Sequence, residues 1–238
     1  TQGYSSAASD VYKRQVDIGH DNFDSACEAL ELGSVDMAVV DMAQLIRMEK
    51  NDENLPYGVV ISGVLKRGDS RYVMIRKRHA KDLIENAVVA TDSYSKTERI
   101  KHMYDGISCV VETDIRKCIE KLDASECDAV FVLLEDIKAA RLHNSFLYRY
   151  TIMDYGECVP VHGEGVYAML TKGKKEAVRT ARELSHKSTA ECFEIEDDII
   201  SRVMQNVYVK TCDVYARISS DRLEIYACLL YTSDAADE

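Results

Sequence analysis

The stretch EALELGSVDMAVVDMAQL, residues 28–45, places a short, mostly apolar run, residues 35–40, directly after Gly33 and Ser34. Short apolar runs that begin and end at turn signals predict β-strands. Four more runs have this form, and helical patterns lie between several of them, at residues 96–104 and 114–122. The alternation predicts an α/β fold with both sheet faces covered. The other predicted strands are residues 59–64, 87–90, 107–111 and 129–133.

The pattern changes toward the C-terminus. Residues 186–205 have a helical pattern, and two β-rich runs follow, residues 208–218 and 223–226, on either side of Ser220. A helix followed by two strands predicts a separate small α+β unit.

The two ends of the chain have sequences of a different kind. Residues 5–15 resemble the translation of an adapter used for sequencing libraries, and residues 228–238 resemble its reverse complement. Such segments carry no information about the fold. We therefore interpret residues 1–15 and 228–238 as non-native and expect native sequence to be missing at both ends.

The composition is that of an acidic globular protein. The net charge is −11, and because the two adapter-like ends carry +1 and −3, residues 16–227 account for −9. An acidic surface repels phosphate backbones, so we expect no nucleic-acid partner. No apolar run approaches the roughly eighteen residues of a membrane span, so we expect a cytoplasmic protein without membrane contact.

The eight cysteines do not form a metal-binding pattern. None belongs to a Cys-x-x-Cys pair, and the evenly spaced Cys109, Cys118 and Cys127 fall on a strand, on a helix and before the next strand. Structural zinc ligands usually come in close pairs. We therefore predict no metal site.

Several segments, in order, resemble the hydroxymethylbilane synthase (porphobilinogen deaminase) family. The opening stretch resembles its first active-site segment, with Gln44 in place of the catalytic aspartate. Further segments extend the resemblance over nearly all of residues 16–227. They are residues 55–71, the Gly-Thr-Ser-Ser-like residues 90–93, the helix-to-strand step at 121–130, the Pro-x-x-Gly-Gln-Gly-like loop at 158–165, and residues 184–196.

The resemblance implies a fold of two type II periplasmic-binding-protein-like lobes with a hinge, plus a small C-terminal α+β domain. The expected boundaries are residues 16–77 and 163–182 for lobe 1, 78–162 for lobe 2 and 183–227 for the C-terminal domain. The N-terminal part of lobe 1 would be missing, and the C-terminal domain would be incomplete.

The resemblance also implies an activity. The family joins four porphobilinogen units into hydroxymethylbilane in tetrapyrrole biosynthesis, primed by a dipyrromethane cofactor on a cysteine. The expected partner is porphobilinogen, or another small molecule, in the cleft between the lobes of a monomer.

The substitutions at family positions remove charges that this chemistry needs. Gln44 carries no charge to stabilise cationic pyrroles, and the loss of a preorganised charge costs several kcal/mol of transition-state stabilisation. Where the family has Leu-Arg-Arg, this chain has Tyr94, Ser95 and Lys96, so one arginine is lost and one becomes lysine. Arginine forks are the side chains suited to the carboxylates of the substrate. Ser93 is retained, as a cofactor contact or as a helix cap.

More substitutions make the expected cleft acidic. Where the family has Arg-Gly-Asn, this chain has Glu112, Thr113 and Asp114. The next arginine aligns with Cys118, and the glutamine of the glycine loop aligns with Glu164. Asp114 also fits the N-cap position of the helix that follows.

The cofactor cysteine is expected at Val207 or Tyr208, and neither side chain offers a thiol. Cys212 is a weak candidate for the attachment, and the other interpretation is an ordinary strand cysteine.

Six other motif residues have structural interpretations. Arg67, Asp69 and Arg71 predict a surface turn with weak ion pairs. Glu196, together with His186, is expected to orient the helix of the C-terminal domain. His162 is expected to be a packing or water-bonded histidine.

Two classes of function follow. One is the family transferase, with activity weakened by the substitutions. The alternative is a catalytically inactive binding or regulatory module with a hinged acidic cleft, including a divergent copy that acts beside a working synthase as a structural partner.

Overall fold

The computed structural model describes residues 23–80 and 86–231. The chain forms two compact units, one of Thr1–Lys66 with Val166–Ala190 and one of Arg67–Gly165 with Glu191–Glu238. Each unit therefore combines two stretches that are distant in sequence. The three-domain boundaries from the sequence stay a prediction, and the adapter-like residues 1–15 and 232–238 lie outside the described residues.

Helices and strands alternate along most of the chain, as the apolar pattern predicts. In chain order they are α1 (Phe23–Glu31), β1 (Met37–Asp41), α2 (Met42–Lys50), β2 (Val59–Val64), β3 (Tyr72–Lys77), β4 (Val88–Thr91), α3 (Tyr94–Met103), β5 (Ser108–Val111), α4 (Ile115–Asp123), β6 (Ala129–Leu133), α5 (Leu134–Ala139), β7 (Tyr148–Ile152), β8 (Tyr167–Lys172), α6 (Lys175–Leu184), α7 (Lys187–Val203), β9 (Val209–Ser219) and β10 (Arg222–Tyr231).

The first unit is built on a three-stranded antiparallel sheet in the order β1-β8-β2. Helix α6 packs on β2 and β8, and the contact is close at Gly63. A Cβ at Gly63 would lie 2.7 Å from the carbonyl oxygen of Ala181 and 2.9 Å from the side chains of Met169 and Ser185. A side chain at position 63 would therefore push α6 away from the sheet.

The second unit contains a five-stranded sheet in the order β5-β4-β6-β3-β7. Strand β4 is parallel to β5 and β6, whereas β3 is antiparallel to both β6 and β7. Alternate residues of β3 face opposite sides of this sheet: Val73 and Ile75 belong to one apolar cluster, Tyr72 and Met74 to the other. The sheet thus separates two cores, and the predicted α/β class is confirmed.

A two-stranded hairpin, β9 with β10, also belongs to the second unit. The predicted β-runs near the C-terminus are confirmed, with a turn at Ser220 and Asp221. Strand β10 continues through Cys228–Tyr231, where Leu229 packs against Val209 and Val214. These four residues begin the second adapter-like segment and form a strand because their side chains are apolar and β-compatible.

Candidate functional site

The candidate site lies in the second unit, at the carboxyl ends of the parallel strands β4 and β5. Residues 92–93 follow β4 and residues 112–114 follow β5. The Glu112 amide donates to the carbonyl of Thr91 at 2.8 Å, which holds the two segments side by side. In α/β sheets, ligands bind outside the carboxyl ends of the strands, so the sheet brings the two predicted segments to a place suited to a ligand.

Lys96 is a buried cation held by two carboxylates. Its ammonium lies 2.7 Å from the Asp92 carboxylate, one helical turn earlier, and 3.7 Å from Oε1 of Glu164. The side chains of Lys96 and Glu164 are each only 5% exposed. Burial alone would lower the pKa of Lys96, but the charges of Glu164 and Asp92 outweigh it and raise this pKa above its ordinary value. Lys96 therefore stays charged, and its charge is already neutralised within the protein.

The loop that carries Glu164 is fixed by close backbone packing. Ser70 donates its hydroxyl to the carbonyl of Glu164 at 3.0 Å, and Gly68 donates its amide to the carbonyl of Gly165 at 3.0 Å. Gly165 has φ +72°, and a Cβ there would overlap the Ser70 hydroxyl. The glycine brings the loop close enough for Glu164 to reach Lys96. The sequence resemblance does not predict this contact between Glu164 and Lys96.

Ser93 occupies the N-cap position of α3, but its side chain does not cap the helix. The Ser93 hydroxyl lies 3.1 Å from that of Ser95, and the Thr91 hydroxyl donates to the Ser93 carbonyl at 3.0 Å. The capping interpretation of Ser93 is therefore wrong for its side chain. Two serine hydroxyls and the 78%-exposed Tyr94 form the start of α3.

The segment after β5 is used for helix capping and packing. Asp114 accepts from the Arg116 amide at 2.9 Å, so the predicted cap of α4 is confirmed. The thiol of Cys118 donates to the Glu112 carbonyl at 3.1 Å, and burial raises the pKa of Cys118 to about 12. A neutral buried thiol cannot replace the arginine expected there. Thr113 and Asp114 are exposed and Glu112 is half-buried.

Gln44 lies in the first unit, in the first turn of α2 directly after β1. Oδ1 of Asp41 caps this helix by accepting from the amides of Ala43 at 2.7 Å and Gln44 at 3.3 Å. The side chain of Gln44 is half-buried. The position that the sequence resemblance aligns with the family aspartate thus lies at a helix start that Asp41 stabilises.

The predicted attachment positions offer no thiol, and the nearby thiol is buried. Val207 is 83% exposed and Tyr208 41% exposed, just before β9. Cys212 is 6% exposed and packs in an apolar cluster with Val209 and Val214.

Arg67 and Glu196 form a buried ion pair, which corrects the interpretation of Arg67 as part of a surface turn. Their side chains are 9% and 0% exposed. The turn itself is half-buried: Asp69 and Arg71 pair through two hydrogen bonds, of 2.9 and 2.8 Å. Glu196 also accepts from the Ala216 amide at 2.7 Å, so it joins α7 to β9.

His162 is buried between carboxylates, and it stacks on Phe193 with ring centroids 4.8 Å apart. Its Nδ1 lies 3.5 Å from Glu196 and its Nε2 3.6 Å from Asp197. Its amide donates to Asp213, which also pairs with Arg99. The packing interpretation of His162 is confirmed by its burial and stacking, and the carboxylates around it are contributed by segments far away in sequence.

His186 acts at the start of α7. Its Nδ1 accepts from the Thr189 amide at 3.2 Å, which confirms its expected role in orienting this helix.

Residues 23–80 and 86–231 contain neither a metal-binding cluster nor a membrane-spanning helix. Within them, no three His, Cys, Asp or Glu side chains are grouped so that they could hold a metal ion. No helix of the same stretches has the length and apolar character needed to span a membrane.

Comparison with known sequences gives one consistent match. Residues 21–180 match the family model described as porphobilinogen deaminase, dipyromethane cofactor binding domain. A porphobilinogen deaminase of Clostridium acetobutylicum is 22% identical over 208 residues, which are 82% of this chain and 70% of the relative. A probable porphobilinogen deaminase of Picrophilus torridus is 25% identical over 142 residues, 59% of this chain and 49% of the relative. One from Chlorobium luteolum is 24% identical over 72% of this chain and 55% of its own length.

Solved structures with a similar chain path include a periplasmic domain and a substrate binding domain. The periplasmic VFT2 domain of BvgS from Bordetella pertussis is 16% identical, with 74% of this chain and 73% of that chain covered and a TM-score of 0.45. The second substrate binding domain of a putative amino acid ABC transporter from Streptococcus pneumoniae is 15% identical, with 75% and 78% covered and a TM-score of 0.44.

Proposed function

Because this chain belongs to the porphobilinogen deaminase family, we propose that it binds a small molecule at the carboxyl ends of β4 and β5 without catalysing the family's primed polymerisation. This membership agrees with the family resemblance of the sequence, which implies two type II periplasmic-binding-protein-like lobes. The chain spans about half the length of two of the three relatives described above, and 70% of the third. The activity of a whole deaminase is therefore itself a proposal for this chain.

The observation that carries the proposal is the neutralised charge of Lys96. In the family an arginine at this position would pair with substrate or cofactor carboxylates. Here the ammonium pairs with Asp92 and Glu164 inside the protein. An incoming carboxylate would have to displace a buried partner and leave that partner's charge uncompensated, which costs several kcal/mol. The site therefore disfavours the polycarboxylate chains that the family builds.

The residues present do not fit the dipyrromethane group. The thioether link needs an accessible thiol, but Val207 and Tyr208 have none and Cys212 is buried among apolar side chains.

The acidic side chains favour a neutral or cationic ligand. Glu112 and Asp114 stand where the family has arginine and asparagine, and Asp114 uses one oxygen as a cap while the residue stays exposed. The aromatic ring of Tyr94 is exposed at the start of α3 and could stack on a cation. Within this proposal the protein is a cytoplasmic monomer whose partner is a small molecule, with neither nucleic acid nor membrane involved.

The second candidate is the transferase itself, hydroxymethylbilane synthase. Family membership and the names of the relatives favour it. In this case a thiol other than one at positions 207–208 must anchor the primer, and Cys212 is the nearest in sequence.

Intact mass after incubation with porphobilinogen distinguishes the two. We expect an unmodified mass and no hydroxymethylbilane, detected as its cyclised porphyrin products. A dipyrromethane increment that disappears in Cys212→Ser, but persists in the matched control Cys109→Ser, would establish the transferase and overturn the proposal.

A charge-restored variant tests the reason given for inactivity. Gln44→Asp, Glu112→Arg and Val207→Cys together restore the aspartate, one arginine and a thiol. A gain of primer attachment would show that these side chains are what the chain lacks, whereas an inert, folded variant would show that these three side chains are not its only defect.

A further inference from the structure

A recess lies within the first unit, away from the residues of the site at β4 and β5. It has a volume of about 650 Å³ and is lined where α6 passes the ends of β2 and β8. Gly58 and Gly173, with φ of +79° and +67°, contribute no side chains to it. Val60 and Val178 provide aliphatic surface. The recess therefore has room for a small molecule and an apolar wall.

The charged residues of the recess are mostly cations. Lys175, Arg179 and Arg182 line it, with Glu183 as the acidic residue. Their spacing of four and three residues places the three cations along one face of α6. In a chain with net charge −11, this face of α6 carries a local excess of positive charge.

Two of these cations, Lys175 and Arg182, are free to pair with an anionic ligand. Arg179 pairs with Glu183 at 3.7 Å, but both side chains are about 70% exposed, so this pair is weak. Lys175 and Arg182 make no ion pair within the described part of the chain, and both are exposed. This is the opposite of Lys96, whose charge is buried and neutralised.

We propose that this recess binds a small organic dicarboxylate with an aliphatic middle. Seven residues of helix extend about 10 Å, and the flexible side chains of Lys175 and Arg182 can converge on the two ends of such a molecule. Arginine offers paired planar donors to a carboxylate. Val60 and Val178 would cover the aliphatic middle. The proposal concerns a different unit and a different ligand class, and it stands whether or not the proposed function holds.

Adipate is the probe, titrated into the whole protein and followed by calorimetry and amide chemical shifts. We expect saturable binding of one adipate, weaker binding of acetate, and a decrease in affinity at high salt. Lys175→Gln and Arg182→Gln should each weaken adipate binding about tenfold, the effect of losing one charge-assisted contact. 1,6-Diaminohexane, of similar length and opposite charge, should not bind.

Lys50→Gln is the matched control, since Lys50 is an exposed cation of the same unit that does not line the recess. It should leave adipate binding unchanged, and all three variants should keep the melting temperature of the parent. The proposal is overturned by the absence of saturable binding, by equal weakening in Lys50→Gln, or by acetate binding as well as adipate.

Discussion

Arg67 and Glu196, 129 positions apart in sequence, form a two-pronged ion pair with nitrogen–oxygen distances of 2.5 and 2.9 Å. The guanidinium of Arg67 also lies over the ring of Tyr215, 4.8 Å from its centroid, and donates to the carbonyl of Ala216. The pair thus joins the start of the second unit to α7 and β9. Because it is buried, breaking it by removing one partner is costly even though its net contribution can be small.

Glu196→Gln should lower the free energy of unfolding by about 3–5 kcal/mol, because Arg67 would keep its charge in a buried position without a counter-ion. Urea denaturation measures this. Arg202→Gln, which breaks the exposed pair with Asp198, is the control and should cost less than about 1 kcal/mol. Equal losses of unfolding free energy in the two variants would contradict the conclusion that the buried charge of Arg67 causes the loss.

The same carboxylate should make stability depend on pH. Burial would raise the pKa of Glu196, but the hydrogen bonds and the charge of Arg67, with the hydrogen bond from the Ala216 amide, outweigh it and hold this pKa below its ordinary value. A lowered pKa in the folded state contributes stability that is present above the ordinary pKa and is lost as pH falls through the folded pKa. Unfolding measured from pH 7 down to acid should show this loss, and Glu196→Gln should reduce it.

Asp69 should titrate at an unusually low pH. The hydrogen bond from Arg71 lowers the pKa of Asp69 from 3.8 to about 2. Its contribution to stability is therefore present above pH 3.8 and is lost as pH falls toward 2. Carboxyl chemical shifts measure this pKa, and Arg71→Met should return it toward 3.8. If Arg71→Met left the pKa at about 2, the Arg71 hydrogen bond would not be the cause.

Lys96→Met should destabilise the fold by about 3–5 kcal/mol at pH 7, because Asp92 and Glu164 would face each other without the ammonium. The loss should be smaller near pH 5, where a buried carboxyl whose pKa has risen takes up a proton. Thermal unfolding at both pH values tests this. Lys101→Met, at an exposed position of the same helix, should change stability by less than about 0.5 kcal/mol. A pH-independent loss would argue against the two carboxylates as the cause.

Two cap positions should respond differently to alanine. Asp114→Ala should cost about 1 kcal/mol, since its side chain accepts from the Arg116 amide. Ser93→Ala should cost clearly less, because the Ser93 hydroxyl makes no cap hydrogen bond. Asp114→Asn, another good N-cap residue, is the control and should stay close to the parent. Equal losses for Asp114→Ala and Ser93→Ala in urea denaturation would contradict the difference.

The strand and helix pattern of the second unit is predicted well from sequence where the signal is local. Strands β4 and β6 are apolar runs between turn residues, and α4 begins at a residue suited to capping, Asp114. Strand β3 is not predicted. Its apolar run, Tyr72–Ile75, is only four residues long and is followed by basic residues in place of a turn signal.

The candidate site is predicted only in part, for a physical reason. The pair of Lys96 with Asp92 is a spacing of four residues on the chain and is visible in the sequence. The third member, Glu164, reaches Lys96 only through the packing of Gly165 on Ser70. The pair of Arg99 with Asp213 joins residues 114 positions apart. Residue types predict which side chains need partners, but the tertiary fold decides which partners they find.

The order of strands in the first unit has a consequence for how this chain folds during synthesis. Strand β8 is the central strand of the β1-β8-β2 sheet, and the hydroxyls of Ser62 and Thr171, which bond across it at 2.7 Å, are 109 positions apart. A ribosome adds about 5–20 residues per second. Strands β1 and β2 are therefore synthesised several seconds before β8, the strand with which both of them pair. During that interval the apolar edges of two unpaired strands are exposed to aggregation and to chaperones, while the local hairpin β9–β10 can pair within microseconds of its own synthesis.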